Sequence, residues 1–357
     1  MYYDVIEIRD AIKAAATMKN AGGKARSDVA SFFERMGMES RVVLLQESER
    51  ASESGLRKLF WHKRVIDTLE AALSDVKTGD TVFFQFPLLG HSMFCSALLK
   101  RLRKRGIQSV LLVHDLETLR GKKMSASFAS KMRVYAEEKQ ALYASTRIIV
   151  HNETMKRYLE KSGIPARKMI SLEIFDYLLP EGEPFDQTHF KKNTGVIVAG
   201  NLERKKSGYL YSLPEQVHWN LYGVGYVDEG KSNIAYKGSF LPEELIVHLE
   251  GGFGLVWDGP SSETCTGIYG DYLRINNPHK TSLYLAAGLP VIIWKEAALA
   301  SFVEENGVGV TVSSLYEIKD TIDSISDAEY EQMKLNARRV GMRLREGYYL
   351  RSAIEKI

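Results

Sequence analysis

Cysteine is scarce. Cys95 and Cys265 are the only two in 357 residues, far apart and outside any C-x-x-C spacing, which excludes a disulfide framework and a structural zinc site. Long hydrophobic runs are missing too: nothing approaches the ~18 apolar residues of a membrane span. The first residues, MYYDVIEIRDAIK, carry charge where a secretory leader needs an apolar stretch. These absences predict a chain that works in a reducing, cytoplasmic setting, soluble or at most peripheral to a membrane. A dominant charge of one sign is absent as well, with 48 Lys and Arg against 45 Asp and Glu for a net charge of +3, so a general nucleic-acid binder is disfavoured. G-x-G-x-x-G does not occur; Gly223-Val224-Gly225 and Gly252-Phe253-Gly254 both lack the third glycine, so a dinucleotide-fingerprint reading loses its main support. No segment repeats at a fixed period.

What is present fits a two-domain α/β chain. The length exceeds what one core usually fills, and 45% hydrophobic with 26% charged residues suffices to pack two. Short β-branched apolar runs recur at Val42–Leu45, Thr81–Phe86, Val110–Val113, Arg147–Val150, Gly195–Ala199, Val217–Tyr222, Gly254–Trp257, Val291–Trp294 and Gly309–Val312, with helical patterns between them. That alternation predicts βαβ units and mainly parallel sheets. Two prolines and a glycine among acids in Leu179-Pro180-Glu181-Gly182-Glu183-Pro184 read as an interdomain connection, which places the boundary near residues 180–192. The domains are then 1–182 and 192–340. Glu331–Ile357 reads as helix with bends at Gly341 and Gly347.

In such sheets ligands sit beyond the C-terminal strand ends, where loops and helix N-termini converge. The stretch INNPHKTSLYLAAGLPVII has that anatomy: Asn277 suits an N-cap, Pro278 the first helical position, and Gly288 before Pro290 a stop. Lys280 in the first turn is unfavourable toward the helix dipole unless an anion is bound there; the bland alternative is a solvated lysine. A second loop, Ala199-Gly200-Asn201-Leu202, leads into Arg204, Lys205 and Lys206, a glycine turn with cations that also reads as a plain basic loop. Tyr222 and Tyr236 follow or lie in later strands and could stack on a base, although core burial is the commoner fate. Ahead of an amphipathic helix, Gly22, Gly23, Lys24 and Arg26 suggest a flexible loop over a site, or a simple solvated turn. His91 reads as a structural histidine or an acceptor contact. The basic runs Lys100–Arg105 and Arg57–Arg64 read first as the wet faces of crossover helices and second as contacts to anionic lipid.

Several segments resemble a family. YKGSFLPEEL, GFGLVWDG and NNPHKTSLYLAAGLPVII are similar to the C-terminal domain of GT-B glycosyltransferases, in particular the bacterial β-1,6-galactofuranosyltransferase-like enzymes and the glucosyltransferases that extend N-acetylglucosamine on serine-rich-repeat adhesins. AGGKARSDV, FFQFPLLG, LLVHDLETLR and IIVHNETMKRYLEKSGI carry the resemblance through the first half. It implies two Rossmann-like domains facing a cleft, with the acceptor mostly on the N-terminal domain, the donor nucleotide on the C-terminal one, and a last helix at about 341–357 crossing back to complete the first. By position it implies Lys280, Asn277 and Thr281 at the donor diphosphate, Gly200, Asn201 and Arg204 at the floor of that site, and Tyr222 and Tyr236 along the nucleoside or sugar.

No D-x-D occurs, which fits leaving-group assistance without a metal or any cofactor beyond the UDP-sugar substrate. Many retaining members of the fold carry glutamates eight apart at positions that here hold Ile275 and Leu283, which points to inversion and hence to a base on the first domain. The apolar strand of LLVHDLETLR ends at His114-Asp115, so Asp115 is the first candidate, with Glu117 and His114 as substitutes; an N-cap aspartate is the bland alternative. The expected activity is transfer of glucose, galactose or galactofuranose from a UDP-sugar to a glycan, glycoprotein or lipid-linked acceptor. Nucleic acid is not an expected partner; the inner membrane face and a homo-oligomer are left open. The rivals are a nucleotide-sugar 2-epimerase and a non-catalytic GT-B subunit that binds glycoprotein acceptor and supports a partner transferase.

Overall fold

The computed structural model describes residues 1–9, 21–45, 56–89, 93–120, 128–179 and 190–357. His91 and residues 180–189 of the expected interdomain stretch lie outside the described residues. The described residues fall into two compact units, one within Met1–Met18, Arg26–Leu172 and Ala353–Ile357, the other within Lys19–Ala25 and Glu173–Ser352.

The first unit is built on a six-stranded, all-parallel sheet of β1 (Tyr2–Arg9), β2 (Glu39–Leu45), β3 (Thr81–Phe86), β4 (Gln108–Val113), β5 (Arg147–Val150) and β6 (Met169–Ser171), in the order β2-β1-β3-β4-β5-β6. Every residue of β3 is buried, as a strand covered on both faces requires. β2 lies at the edge and leaves Val42 and Leu44 exposed. The helix Cys95–Lys104 buries Cys95, Leu98, Leu99 and Leu102, a spacing of three and four that turns Lys100, Arg101 and Lys104 to the opposite, exposed face, where Arg101 pairs with Glu70. The first strand, β1, has no apolar run: Asp4, Glu7 and Arg9 interrupt it, and pairing with β2 and β3 makes it a strand.

The second unit repeats the plan with β7 (Val196–Asn201), β8 (Trp219–Val224), β9 (Ile234–Gly238), β10 (Phe253–Val256), β11 (Val291–Trp294) and β12 (Gly309–Val312), ordered β12-β11-β10-β7-β8-β9 and again parallel. Strand order reverses between β7 and β10, which is where a doubly wound sheet opens a crevice. Pro242 occupies the first turn of the helix Pro242–His248, as its missing N–H favours. The helix Asp327–Arg345 starts with a reciprocal capping box between Ser326 and Glu329. Gly347, at φ +70°, ends this helical stretch before Tyr348–Ile354, whereas Gly341 stays helical. A Cβ on Gly341 would come within 2.3 Å of the Leu285 carbonyl oxygen, so this glycine sets the close approach of Asp327–Arg345 to the helix His279–Ala286 rather than a bend. No helix among the described residues is long and apolar enough to cross a membrane.

Candidate functional site

In the second unit, β7 and β10 pair only at Val196–Ile197 and then diverge. Tyr284, on the helix His279–Ala286, fills the opening: its hydroxyl accepts from Ala199 N at 2.8 Å, and its ring lies where any side chain at Gly254 would stand. Burial raises the Tyr284 pKa well above the phenolic range, so the hydroxyl stays protonated. Beyond this wedge the crevice is edged by Gly200 and Asn201 at the end of β7 and by Asp258 after β10. Gly200 has φ +134°, a conformation that suits glycine. Asn201 Oδ1 accepts from Glu203 N at 2.8 Å and holds the loop that carries the cations.

Lys280 reaches this point. Its Nζ lies 2.9 Å from Asp258 Oδ1 and donates to Trp257 O at 2.9 Å, with both side chains nearly buried. Burial lowers the Lys280 pKa, opposed by Asp258, while nearby Lys206 lowers it further. The immediate counter-charge of Lys280 is therefore a carboxylate, a partner the sequence reading did not foresee. Lys206 has no carboxylate partner among the described residues; its Nζ lies 6.0 Å from the Tyr269 ring centroid. Thr281 Oγ1 and His279 Nε2 in the first turn of the same helix, and Asn276 Oδ1 just before it, are buried without hydrogen-bond partners among the described residues.

His279 packs between Tyr177 and Phe175, with ring centroids 5.0 and 6.1 Å away. Burial first, and Lys24 second, hold its pKa down at about 3, so it is neutral. Lys24 itself is buried; its Nζ donates to Leu178 O at 2.7 Å and lies 4.7 Å from the Tyr177 ring centroid. It sits in the helix Ala21–Arg35, so the expected flexible glycine loop is helical from Ala21 onward.

Other sequence assignments change. Pro278, not Asn277, is the capping residue of His279–Ala286, and no side chain caps it. The Asn277 amide instead donates to Glu173 O at 3.0 Å and is buried, which removes it from the helix mouth. Tyr222 is 1% exposed with its hydroxyl accepting from Glu250 N; burial pushes its pKa up to about 12, and a ring so enclosed offers no face to a base. Tyr236 is 46% exposed and belongs to a row of rings, 5.8 Å from Tyr226, which stacks 5.9 Å from Tyr211. Arg204 lies over Tyr211 at 3.7 Å and pairs with Glu229 at 2.7 Å, so it belongs to this aromatic row. The sequence marked Arg204, Lys205 and Lys206 together and the resemblance placed Arg204 at the site; among the described residues it is Lys206 that lacks a carboxylate partner.

In the first unit the C-terminal edge of the sheet is rigidly supported. Arg26 donates to Gln85 O at 3.0 Å and Pro87 O at 2.5 Å, and Leu89 N donates to Glu7 Oε2 at 2.8 Å, fixing the segment after β3. His114 Nε2 lies 2.9 Å from Gln85 Oε1, and His151 Nε2 donates to His114 O at 3.1 Å. Burial lowers the His151 pKa to about 4, so it acts as a neutral donor. Asp115 follows β4, half-buried, ahead of the short helix Glu117–Arg120. The acid that caps this helix is Glu138, which accepts from Glu117 N at 2.7 Å and from the Thr118 hydroxyl. Burial raises its pKa to about 7 against those hydrogen bonds. No sequence signal marks Glu138; it lies in the helix Phe128–Ala144 and is brought here by the fold.

Comparison with known proteins places this geometry. Models of the glucosyltransferase 3-like N-terminal and C-terminal domains match residues 10–174 and 196–357. The chain is 38% identical over 83% of its length, and 84% of the other, to the β-1,6-galactofuranosyltransferase WbbI of Escherichia coli (strain K12). It is 25% identical over 92% of both lengths to glucosyltransferase 3 of Streptococcus gordonii. A glycosyltransferase from Rickettsia africae ESF-5 shares the fold with a TM-score of 0.61 at 12% identity, covering 99% of this chain and 97% of that one. The architecture is thus the two-unit α/β fold of GT-B glycosyltransferases. The chain belongs to the glucosyltransferase 3-like family and is a hexosyltransferase rather than an epimerase.

Proposed function

We propose that the chain moves a hexose from a UDP-sugar to a hydroxyl of a surface glycan, glycoprotein or lipid-linked acceptor, with inversion and without a metal. The observation that carries the donor site is the charge at the β7/β10 crevice: Lys206, without a carboxylate partner among the described residues, beside the Lys280–Asp258 pair and a helix whose first turn holds the Thr281 hydroxyl, likewise unpartnered among them. When the sugar C1–O bond breaks, negative charge grows on the β-phosphate. A lysine and preorganised donors there stabilise that charge, the role a metal plays elsewhere. Gly200, at φ +134°, keeps the strand end bare so that the diphosphate can approach backbone. Tyr236, exposed at the end of a row with the half-buried Tyr226 and Tyr211, supplies a stacking surface suited to a nucleobase.

Asp115, in the first unit, is the base that takes the proton from the acceptor hydroxyl. His114, fixed by Gln85, and Glu117 stand beside it. Tyr222 and Asn277 take no part. A cytoplasmic location, with the Lys100–Arg105 face toward an inner membrane leaflet, fits a lipid-linked acceptor. A mass-spectrometric screen of UDP-glucose, UDP-galactose, UDP-galactofuranose and UDP-N-acetylglucosamine against N-acetylglucosamine and galactose acceptors tests the reading. Acceptor-dependent product is expected. Donor turnover only without acceptor, or no stabilisation of the protein by UDP, refutes it.

A further inference from the structure

The first sheet has a second feature at its opposite edge, where strands begin rather than end. A pocket of about 450 Å³ lies among the starts of β4, β5 and β6 and is lined by Arg103, Arg147, Arg167, Lys168, Tyr143 and Thr146, among others. Its volume is in the range of small-molecule sites. Four cations line it and no carboxylate does; none of the four forms an ion pair among the described residues. Ordinary packing accounts for part of this. Lys168 Nζ donates to Tyr143 O at 2.6 Å, satisfying the C-terminal carbonyl end of the helix Phe128–Ala144, and Arg147 Nη1 donates to Arg167 O at 3.0 Å. The guanidiniums of Arg103 and Arg167 are not accounted for: both are exposed at the rim and engage no acceptor among the described residues.

Cations crowded without counter-charge repel one another. Burial first, then Arg103, Arg167 and Arg147, bring the Lys168 pKa down to about 8. An anion in the pocket would relieve that repulsion, and two arginine forks match the bidentate geometry of a phosphate group. The Tyr143 ring, 59% exposed, adds an amphipathic wall beside Lys168. We propose that this pocket, at the strand-start edge of the first sheet, binds a phosphate-bearing ligand through Arg103 and Arg167, with Arg147 and Lys168 behind them. The ligand is a diphosphate or phosphate ester, carried either by a free molecule or by a lipid headgroup.

The test uses the full chain saturated with UDP, so that the donor crevice does not compete, titrated calorimetrically with inorganic pyrophosphate. Arg103→Gln/Arg167→Gln is compared with Lys191→Gln/Lys319→Gln, which removes the same charge from exposed positions of the second unit outside the pocket; thermal melts establish that both doubles fold. The pocket double is expected to weaken binding by roughly a hundredfold, at about tenfold per lost charged hydrogen bond, and the control only slightly. Co-sedimentation with phosphatidylcholine vesicles containing about a third phosphatidylglycerol separates the two sources of phosphate. Sedimentation lost in the pocket double and competed by pyrophosphate assigns a headgroup; pyrophosphate binding without sedimentation assigns a free compound. Equal weakening in the two doubles, or a wild-type chain that binds neither pyrophosphate nor vesicles, overturns the proposal. UDP stabilisation is read separately and reports on the donor site alone.

Discussion

Replacing Asp4 by asparagine isolates one buried charge. Asp4 sits in β1 between β2 and β3, aligned with Ser40 and the fully buried Phe83, and is itself 0% exposed. Neither carboxylate oxygen reaches a well-formed hydrogen bond, and burial raises the pKa to about 7, weakly opposed by the Val5 N–H. A carboxyl whose folded pKa lies above its unfolded value stabilises the fold while protonated and loses that contribution as pH rises through about 7. From the ordinary value near 3.8 to about 7 the full penalty is about 4 kcal/mol, of which about 2.5 kcal/mol develops between pH 5 and pH 8. Asp4→Asn keeps the shape without the ionisation. Urea unfolding of both proteins at pH 5 and pH 8, followed by a probe in the first unit, should show the variant gaining about 2.5 kcal/mol on the wild type over that interval. Glu138 titrates alike in both proteins and cancels. A stability difference that does not change with pH would refute the reasoning, because it would mean that Asp4 ionises in the native state as freely as in the unfolded one.

Lys206→Ala should lower kcat for sugar transfer by about a hundredfold, the scale for losing one donor to a developing oxyanion, while Lys205→Ala on the exposed face of the same loop leaves it nearly unchanged. Tyr284→Phe leaves the buried Ala199 N–H without its acceptor and should cost about 1–3 kcal/mol in urea titrations. Gly341→Ala drives a methyl into the Leu285 carbonyl and should destabilise the second unit by about 1–3 kcal/mol, read by calorimetry. His279, held neutral with a pKa of about 3, contributes stability above its unfolded pKa that is lost as pH falls toward 3. Between pH 7 and pH 5 the second unit should lose about 2 kcal/mol; in the first unit His151 costs a similar amount, which the gains of about 2 kcal/mol each at Asp4 and Glu138 exceed. Hydrogen exchange at the two pH values should show protection falling in the second unit first.

The sequence by itself determined the parallel α/β plan. Strands such as Thr81–Phe86 and Val291–Trp294 are buried on both faces, so their continuous β-branched and aromatic runs appear in the one-dimensional pattern. It also marked the loop Gly200–Lys206 and the segment Asn277–Gly288, because glycine turns and helix starts are local features. β1 escaped because its buried Asp4 and its charged neighbours break the pattern, and β6 and β9 because they are short or half exposed. Only the tertiary structure decided the partners. Lys280 is claimed by Asp258, Asn277 by Glu173, and Tyr222 by the core, while Lys206 finds no carboxylate among the described residues. Glu138 comes to Thr118, and four cations from three segments gather at one strand edge, by the same route. Local propensity depends on neighbours along the chain and can be read there. Charge compensation and burial depend on residues brought together across tens or hundreds of positions, and they exist only once the sheets have formed.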